Sequence, residues 1–304
     1  MAEAKAKHIP VMLKEVLQYL QPRNGETYVD ATFGNGGYTR AILETASCKV
    51  IALDRDPNVI VRANELKNLY GERFEFRAGN FGDFTDVVPE KINGVVFDIG
   101  VSSMQLDNAE RGFSFSKEAE LDMRMSCSGV SAKDIINSYG EKELADMIFN
   151  YGEERKSRQI AAKIVEYRRK KKIETTTELA EIIYAVIHRK VGEIDPATRT
   201  FQALRIAVND ELCELERGLN GAAQRLLKGG RLVVVDFHSL EDRIVKNFMK
   251  DNGGRKVRVS KYAPELTEDN SLFCEVSKAI VPTVDECNKN PRARSAKLRF
   301  AVRR

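Results

Sequence analysis

Apolar positions along this chain fall into two regimes. In the first hundred residues, short apolar runs at 27–32, 49–54, 74–79 and 94–99 recur with helical sequence between them, the βαβ rhythm of a parallel sheet. After the second run, Asp54-Arg55-Asp56-Pro57 sets an acceptor side chain at an N-cap and proline at the first helical position, which predicts a helix over 57–69. From about 131 to 227 the pattern is helical. Leu179, Ile182, Ile183, Val186 and Ile187 form one stripe, and Phe201, Leu204, Val208, Leu212, Leu215 and Leu219 a second. A strand-like run returns at 231–237 after the turn signal Gly229-Gly230, with further strands expected at 256–262, 274–281 and 297–302. The prediction is an α/β fold interrupted by a helical insertion domain. The first part of the core is expected at 1–110, the insertion at 111–214 and the second part of the core at 215–304.

Composition narrows the class. A chain of 304 residues, 42% hydrophobic, can bury one substantial core and a smaller second one. No run approaches the roughly 18 apolar residues of a membrane span, and no apolar signal core follows the first residues. A cytoplasmic protein without a membrane partner is therefore expected. The five cysteines are scattered and only three histidines accompany them, so reduced thiols and no metal site are expected.

The net charge of +4 says little, but its distribution says more. Residues 155–172 hold nine lysines and arginines against Glu166 alone, and 289–304 hold seven against no acid. Such clusters suit a polyphosphate partner, with Arg168, Arg169, Lys170, Lys171, Lys172, Arg292, Arg294 and Arg303 as the candidate RNA contacts. A solvated helix face and a basic terminus account for them equally well.

Tyr28-Val29-Asp30-Ala31-Thr32 runs directly into Phe33-Gly34-Asn35-Gly36-Gly37-Tyr38, and 39–46 reads as a helix. Glycines at a strand-to-helix turn let a ligand approach the backbone, and the helix start offers unpaired N–H groups. A dinucleotide fingerprint needs glycine where this chain has Thr39; Gly-x-Gly-Gly is the looser methyltransferase form. Asp54 follows Gly36 by 18 positions and ends the second strand, where a carboxylate can accept both hydroxyls of a ribose or simply cap a helix. Phe81 can pack on an adenine or in the core. Asp98 ends the fourth strand at the same sheet edge. A methyltransferase, a nicotinamide oxidoreductase disfavoured by Thr39, and a non-catalytic RNA-binding factor with a vestigial pocket all remain open at this point.

Longer strings narrow the choice. Asp30-Ala31-Thr32-Phe33-Gly34-Asn35-Gly36-Gly37-Tyr38, Asp98-Ile99-Gly100-Val101-Ser102-Ser103-Met104-Gln105-Leu106-Asp107, Leu121-Asp122-Met123-Arg124-Met125, Tyr151-Gly152-Glu153-Glu154-Arg155 and Phe237-His238-Ser239-Leu240-Glu241-Asp242-Arg243 resemble the bacterial MraW-type methyltransferases of small-subunit ribosomal RNA. The similarity spans nearly the whole chain. It implies a Rossmann-like class I S-adenosylmethionine-dependent methyltransferase sheet of seven strands with a helical insertion domain. It also implies S-adenosyl-L-methionine as cofactor, 16S rRNA or the small ribosomal subunit as partner, and methylation of the exocyclic N4 of a cytidine in the decoding region. A monomer or weak homodimer is expected.

Carried over by position, the family's cofactor contacts fall on Gly36, Gly37, Tyr38, Asp54, Phe81, Asp98 and Gln105. Family members commonly have histidine at position 38 and proline at 104, where this chain has Tyr38 and Met104. A backbone N–H is then the contact to expect of Tyr38, and the 103–105 turn is expected to loosen. For the proton that a methylated amine must lose, Asp98 is favoured over Asp236 and His238, all at strand ends on one edge. A structural histidine accounts for His238 equally well.

Overall fold

A computed structural model describes residues 10–189, 192–253 and 271–304. Seven strands, β1 (Thr27–Asp30), β2 (Lys49–Asp54), β3 (Phe74–Ala78), β4 (Ile92–Asp98), β5 (Leu226–Asp236), β6 (Phe273–Val276) and β7 (Lys297–Arg303), form one sheet in the order β3-β2-β1-β4-β5-β7-β6. The pairs from β3 to β5 are parallel, whereas β7 runs antiparallel to both β5 and β6. This is the Rossmann-like α/β sheet expected from the sequence. The strand sequence reverses between β1 and β4, so the carboxyl ends of these two strands flank the switch point at which open α/β sheets bind ligands.

Both faces of the sheet are buried, which is why its strands read as apolar runs. Val50, Ala52, Val96, Val233 and Val235 face one layer, with helices Leu13–Leu20, Gly37–Thr45 and Ile60–Tyr70 supplying Val16, Ile42 and Leu66 to the same core. Ile51, Leu53, Val95, Phe97, Leu232 and Val234 face the other, closed by Leu215 and Leu219 of helix Glu211–Arg225 and by Val245 and Met249 of helix Ser239–Asn252.

The chain divides into two compact units, Met1–Gly100 with Leu212–Arg304, and Val101–Glu211. The first break therefore lies ahead of the expected 110/111, because 101–110 already carries a capped helix, Ser103–Asp107, of the second unit. The return lies at 211/212, not 214/215, at the start of helix Glu211–Arg225, which follows the break at Asp210. The second unit has its own core. Ile135, Leu144, Ile148, Ile160, Ile164, Leu179, Ile183 and Leu204 come together from helices Ala132–Ser138, Glu141–Gly152, Ser157–Arg168, Thr176–Tyr184 and Ala197–Asn209.

Several expectations need correction. The apolar stripe from Phe201 to Leu219 is two helices, broken at Asp210, whose φ of 49° is a left-handed conformation that aspartate tolerates. Phe201 and Leu204 serve the second unit's core, while Leu215 and Leu219 serve the first's. The Gly229-Gly230 pair does not precede β5 but lies inside it. Gly229 has φ 78°, and the register with β4 shifts between Ile92 and Gly94, so the glycines form a bulge. Of the run 274–281 only the start is strand, with Ile280 bridged to Leu298. The helix expected at 57–69 opens as a 3₁₀ turn, Pro57–Val59, and continues as Ile60–Tyr70. Asp56 caps it by accepting from the Asn58 N–H. The strand expected at 256–262 lies outside the described residues. Among the described residues no helix is long and apolar enough to cross a membrane.

Candidate active site

The loop after β1 is shaped by a carboxylate. Asp30, fully buried, accepts from Thr39 N–H at 3.1 Å and Thr39 Oγ1 at 2.7 Å through Oδ2, and from Thr32 N–H at 3.3 Å through Oδ1. Burial pushes its pKa up to about 6 against these hydrogen bonds. Thr39, the residue that breaks the dinucleotide fingerprint, is thus what ties the helix start to β1. Between them, Gly36 has φ 70°, and a Cβ there would meet Leu66 Cδ1 at 2.6 Å. A Cβ on Gly37 would meet Pro10 Cγ at 2.3 Å. Both positions require glycine. Helix Gly37–Thr45 begins here, and the N–H groups of its first turn have no intrahelical acceptor. The ring of Tyr38 is buried and its hydroxyl donates to the Val11 carbonyl, so only the backbone of residue 38 is left for a ligand.

Asp54 closes β2 and braces the same loop. Its Oδ2 accepts from Gly34 N–H at 2.8 Å and its Oδ1 from Asp56 N–H at 2.9 Å. Burial raises its pKa while those two N–H groups oppose the shift. A carboxylate has about four acceptor directions, so two remain for hydroxyl donors. The ring of Phe81 meets Phe97 edge-on at 5.7 Å and packs against the sheet core. Gln105 lies in the second unit, where its amide oxygen accepts from Ser102 N–H and its own N–H donates to Ser102 Oγ. This capping box fixes the turn that the loss of proline at Met104 was expected to loosen.

Asp98 closes β4. Its N–H donates to Thr32 Oγ1 at 2.7 Å, and its Oδ1 is buried without a hydrogen-bond partner among the described residues. Burial, then the negative charges of Asp30 and Glu241, push its pKa up to about 8. Asp236 behaves differently. Asp98 is in register with Val235, so Asp98 leaves the sheet on the face of Val96, and Asp236 on the face of Val234. Asp236 is 1% exposed, closed to a ligand by that burial, and neither of its oxygens has a hydrogen-bond partner among the described residues. Burial, then Asp242 and Glu241, push it up to about 8, with Lys297 and Arg299 pulling the other way.

The Asp236 carboxyl has a measurable thermodynamic signature. Its folded pKa lies above the unfolded value, so the folded state holds a proton that the unfolded chain releases, and stability falls as pH rises from about 4 towards 8. Asp236→Asn removes that dependence. The variant is expected to gain stability relative to wild type between pH 5 and pH 8 by an amount on the order of a few kcal/mol. Thermal unfolding at both pH values reads the difference. A gap that does not change with pH would mean that the carboxyl is not held neutral.

His238 is turned into the start of helix Ser239–Asn252. Its Nδ1 accepts from Glu241 N–H at 3.4 Å, and its Nε2 lies 3.0 Å from Glu241 Oε1, at ion-pair distance but without hydrogen-bond alignment. Glu241, fully buried, accepts from Phe237 N–H at 2.9 Å and His238 N–H at 3.2 Å. Histidine thus serves as an N-cap. Glu241, which raises both Asp98 and Asp236, is not among the site residues that the sequence predicts; its one local signal is its place three residues after the cap.

The basic runs separate into structural and exposed cations. Arg168 donates to the Ile136 and Tyr139 carbonyls at 2.6 and 2.5 Å, and Lys171 pairs with Glu178. Arg169, Lys170 and Lys172 are exposed. In the tail, Lys297 and Arg299 hold Asp242, and Arg303 donates to the Leu272 carbonyl, which removes Arg303 from the candidate phosphate contacts. Arg292 and Arg294 lie exposed on the 3₁₀ turn Pro291–Ser295.

The MraW methylase family matches this chain over residues 5–304. The chain belongs to that family. Ribosomal RNA small subunit methyltransferase H of Rickettsia massiliae is 55% identical over 298 residues, covering 97% of each chain, and that of Rickettsia bellii is 54% identical over 298 residues, covering 97% of this chain and 98% of the relative. Among solved structures, a putative rRNA methylase from Clostridium thermocellum aligns over 98% of this chain and all of its own, at 14% identity and a TM-score of 0.44. A putative methyltransferase from Streptococcus mutans in complex with SAH covers 98% of this chain and all of its own, at 12% identity and a TM-score of 0.43. At that level the likeness adds nothing to the strand order.

MraW methylases use S-adenosylmethionine, so the nicotinamide and non-catalytic readings fall away. The residues at this edge fit that cofactor. A cradle closed to any Cβ opens a helix, a carboxylate with acceptor capacity to spare braces it, and an orphaned carboxyl oxygen of Asp98 closes the neighbouring strand.

Proposed function

We propose that this chain methylates the exocyclic N4 of a cytidine in the decoding region of small-subunit ribosomal RNA. S-adenosylmethionine supplies the electrophilic methyl group when bound. Backbone N–H groups at Gly37 and Tyr38 and the carboxylate of Asp54 would hold the carboxylate and ribose of that cofactor, while Gly36, whose own N–H donates to the Phe33 carbonyl, lets it approach the backbone, and Phe81 is a further contact. The lone pair of the cytosine amine is shared with the ring, so the protein's task is to orient the amine and to take its proton. Asp98 fills that role. Asp98 is half-buried at the switch point and keeps one carboxyl oxygen without a partner among the described residues, and this observation carries the assignment, since the equally unpartnered Asp236 is closed off. With its pKa raised to about 8, the carboxylate is a better proton acceptor than an ordinary aspartate.

The closed position of Asp236 and the capping role of His238 favour Asp98 over both. The base must be unstacked to reach such a site, and the helical unit Val101–Glu211 is the natural holder of the surrounding RNA. The test is transfer of labelled methyl from S-adenosylmethionine to small subunits, and to naked 16S rRNA, from cells lacking the protein, with the modified nucleotide mapped. Label at N4 of one decoding-region cytidine is expected. Label elsewhere, or none on either substrate, overturns the reading.

A further inference from the structure

We propose that the exposed turn at 169–172, together with Tyr139, is a pre-built binding platform for an unpaired stretch of RNA, the cations taking phosphates and the tyrosine ring stacking on a base. The proposal rests on RNA being the substrate and adds where in the second unit, and in what form, RNA is held.

The turn is clasped at both ends to the end of helix Ala132–Ser138. On one side the Arg168 guanidinium holds the Ile136 and Tyr139 carbonyls at 2.6 and 2.5 Å. On the other, the Asn137 amide makes a two-way bond with the backbone of Ile173, donating to its carbonyl at 2.7 Å and accepting its N–H at 3.1 Å. Between the clasps, Lys170 and Lys171 N–H groups both donate to the Tyr167 carbonyl, which closes the turn. Ile173 is fully buried beneath it.

What this scaffold displays is selective. Lys171 is neutralised by Glu178, whereas Arg169, Lys170 and Lys172 have no ion-pair partner among the described residues. Tyr139, whose carbonyl the first clasp grips, is 38% exposed although it is a large aromatic residue. Cations on a held turn, clasped to the backbone of an exposed aromatic residue, offer what single-stranded nucleic acid requires, because any base has a face to stack and its phosphates follow the charge. A purely acidic partner would use the cations and leave the ring idle. A rigid turn loses little conformational freedom on binding, which is the gain from the two clasps.

The experiment measures affinity of the full chain for a fluorescent unpaired RNA oligonucleotide and for a hairpin duplex across a salt series, with methyl transfer to small subunits alongside. Tyr139→Ala is expected to weaken unpaired RNA by about 5- to 100-fold with an unchanged salt slope, and Tyr139→Phe to bind as wild type. Replacing Arg169, Lys170 and Lys172 together by alanine is expected to make the slope of log affinity against log salt shallower by about 2. Cofactor affinity should stay at the wild-type value throughout. If wild type methylates small subunits and these variants match it in affinity and slope, the platform is overturned while the function stands. If wild type methylates no RNA, the function itself fails. Equal losses on duplex and unpaired RNA for Tyr139→Ala would overturn the stacking role.

Discussion

Asp98→Asn is expected to lower kcat for methyl transfer by about 100- to 10,000-fold, the range that a positioned general base contributes, and to leave the protein folded. The fold should survive because the side chain is nearly isosteric and replaces a carboxyl that burial already disfavours as an anion. The sign of the pH dependence follows from the same burial. Below about 8 most Asp98 carries a proton and cannot accept another, so kcat/KM of the wild type should climb about tenfold per pH unit and level off above that value. The variant should show no such climb. Single-turnover transfer, measured beside cofactor binding by calorimetry, separates chemistry from affinity. Turnover and a pH profile like those of wild type would remove Asp98 from the reaction.

The second large effect is expected on binding. Asp54→Ala should weaken S-adenosylmethionine by about 10- to 1,000-fold, as loss of one or two hydrogen bonds to a charged acceptor predicts. Part of that loss would come from the loop, since Asp54 also holds the Gly34 and Asp56 N–H groups. Asp54→Asn keeps one acceptor oxygen for the loop and separates the two contributions. Its affinity should fall between wild type and Asp54→Ala. Undiminished affinity in both variants, read by calorimetry, would exclude the ribose role.

What the sequence could disclose depended on the range of the interaction involved. β2 was read to its ends at 49–54, because a strand buried on both faces leaves a continuous apolar run and Asp56-Pro57 marks its exit with local cap chemistry. The glycine loop and its two following acids were legible for the same reason, as each sits at a fixed distance from a strand end. Pairings between distant segments were not. Nothing adjacent to Arg168 says that its guanidinium serves two carbonyls of another helix, so it looked like its exposed neighbours. The Glu241 carboxylate bears on Asp98 from the first turn of the helix after β5, more than a hundred positions away in sequence, and periodicity alone merges two helices across Asp210 because the apolar spacing continues through it.

The insertion of Val101–Glu211 between neighbouring strands has a consequence for how the chain reaches its native state. β4 and β5 pair side by side, yet they meet only after the whole of the second unit has been traversed, a closure whose entropic cost grows with the logarithm of the intervening length. If the inserted helices collapse on their own core first, their local contacts form quickly and the effective loop becomes compact. The assembly rate of the cofactor-binding half is then set by residues that belong to the other half. Substitutions such as Ile148→Ala, far along the chain from every strand, should slow closure of the sheet.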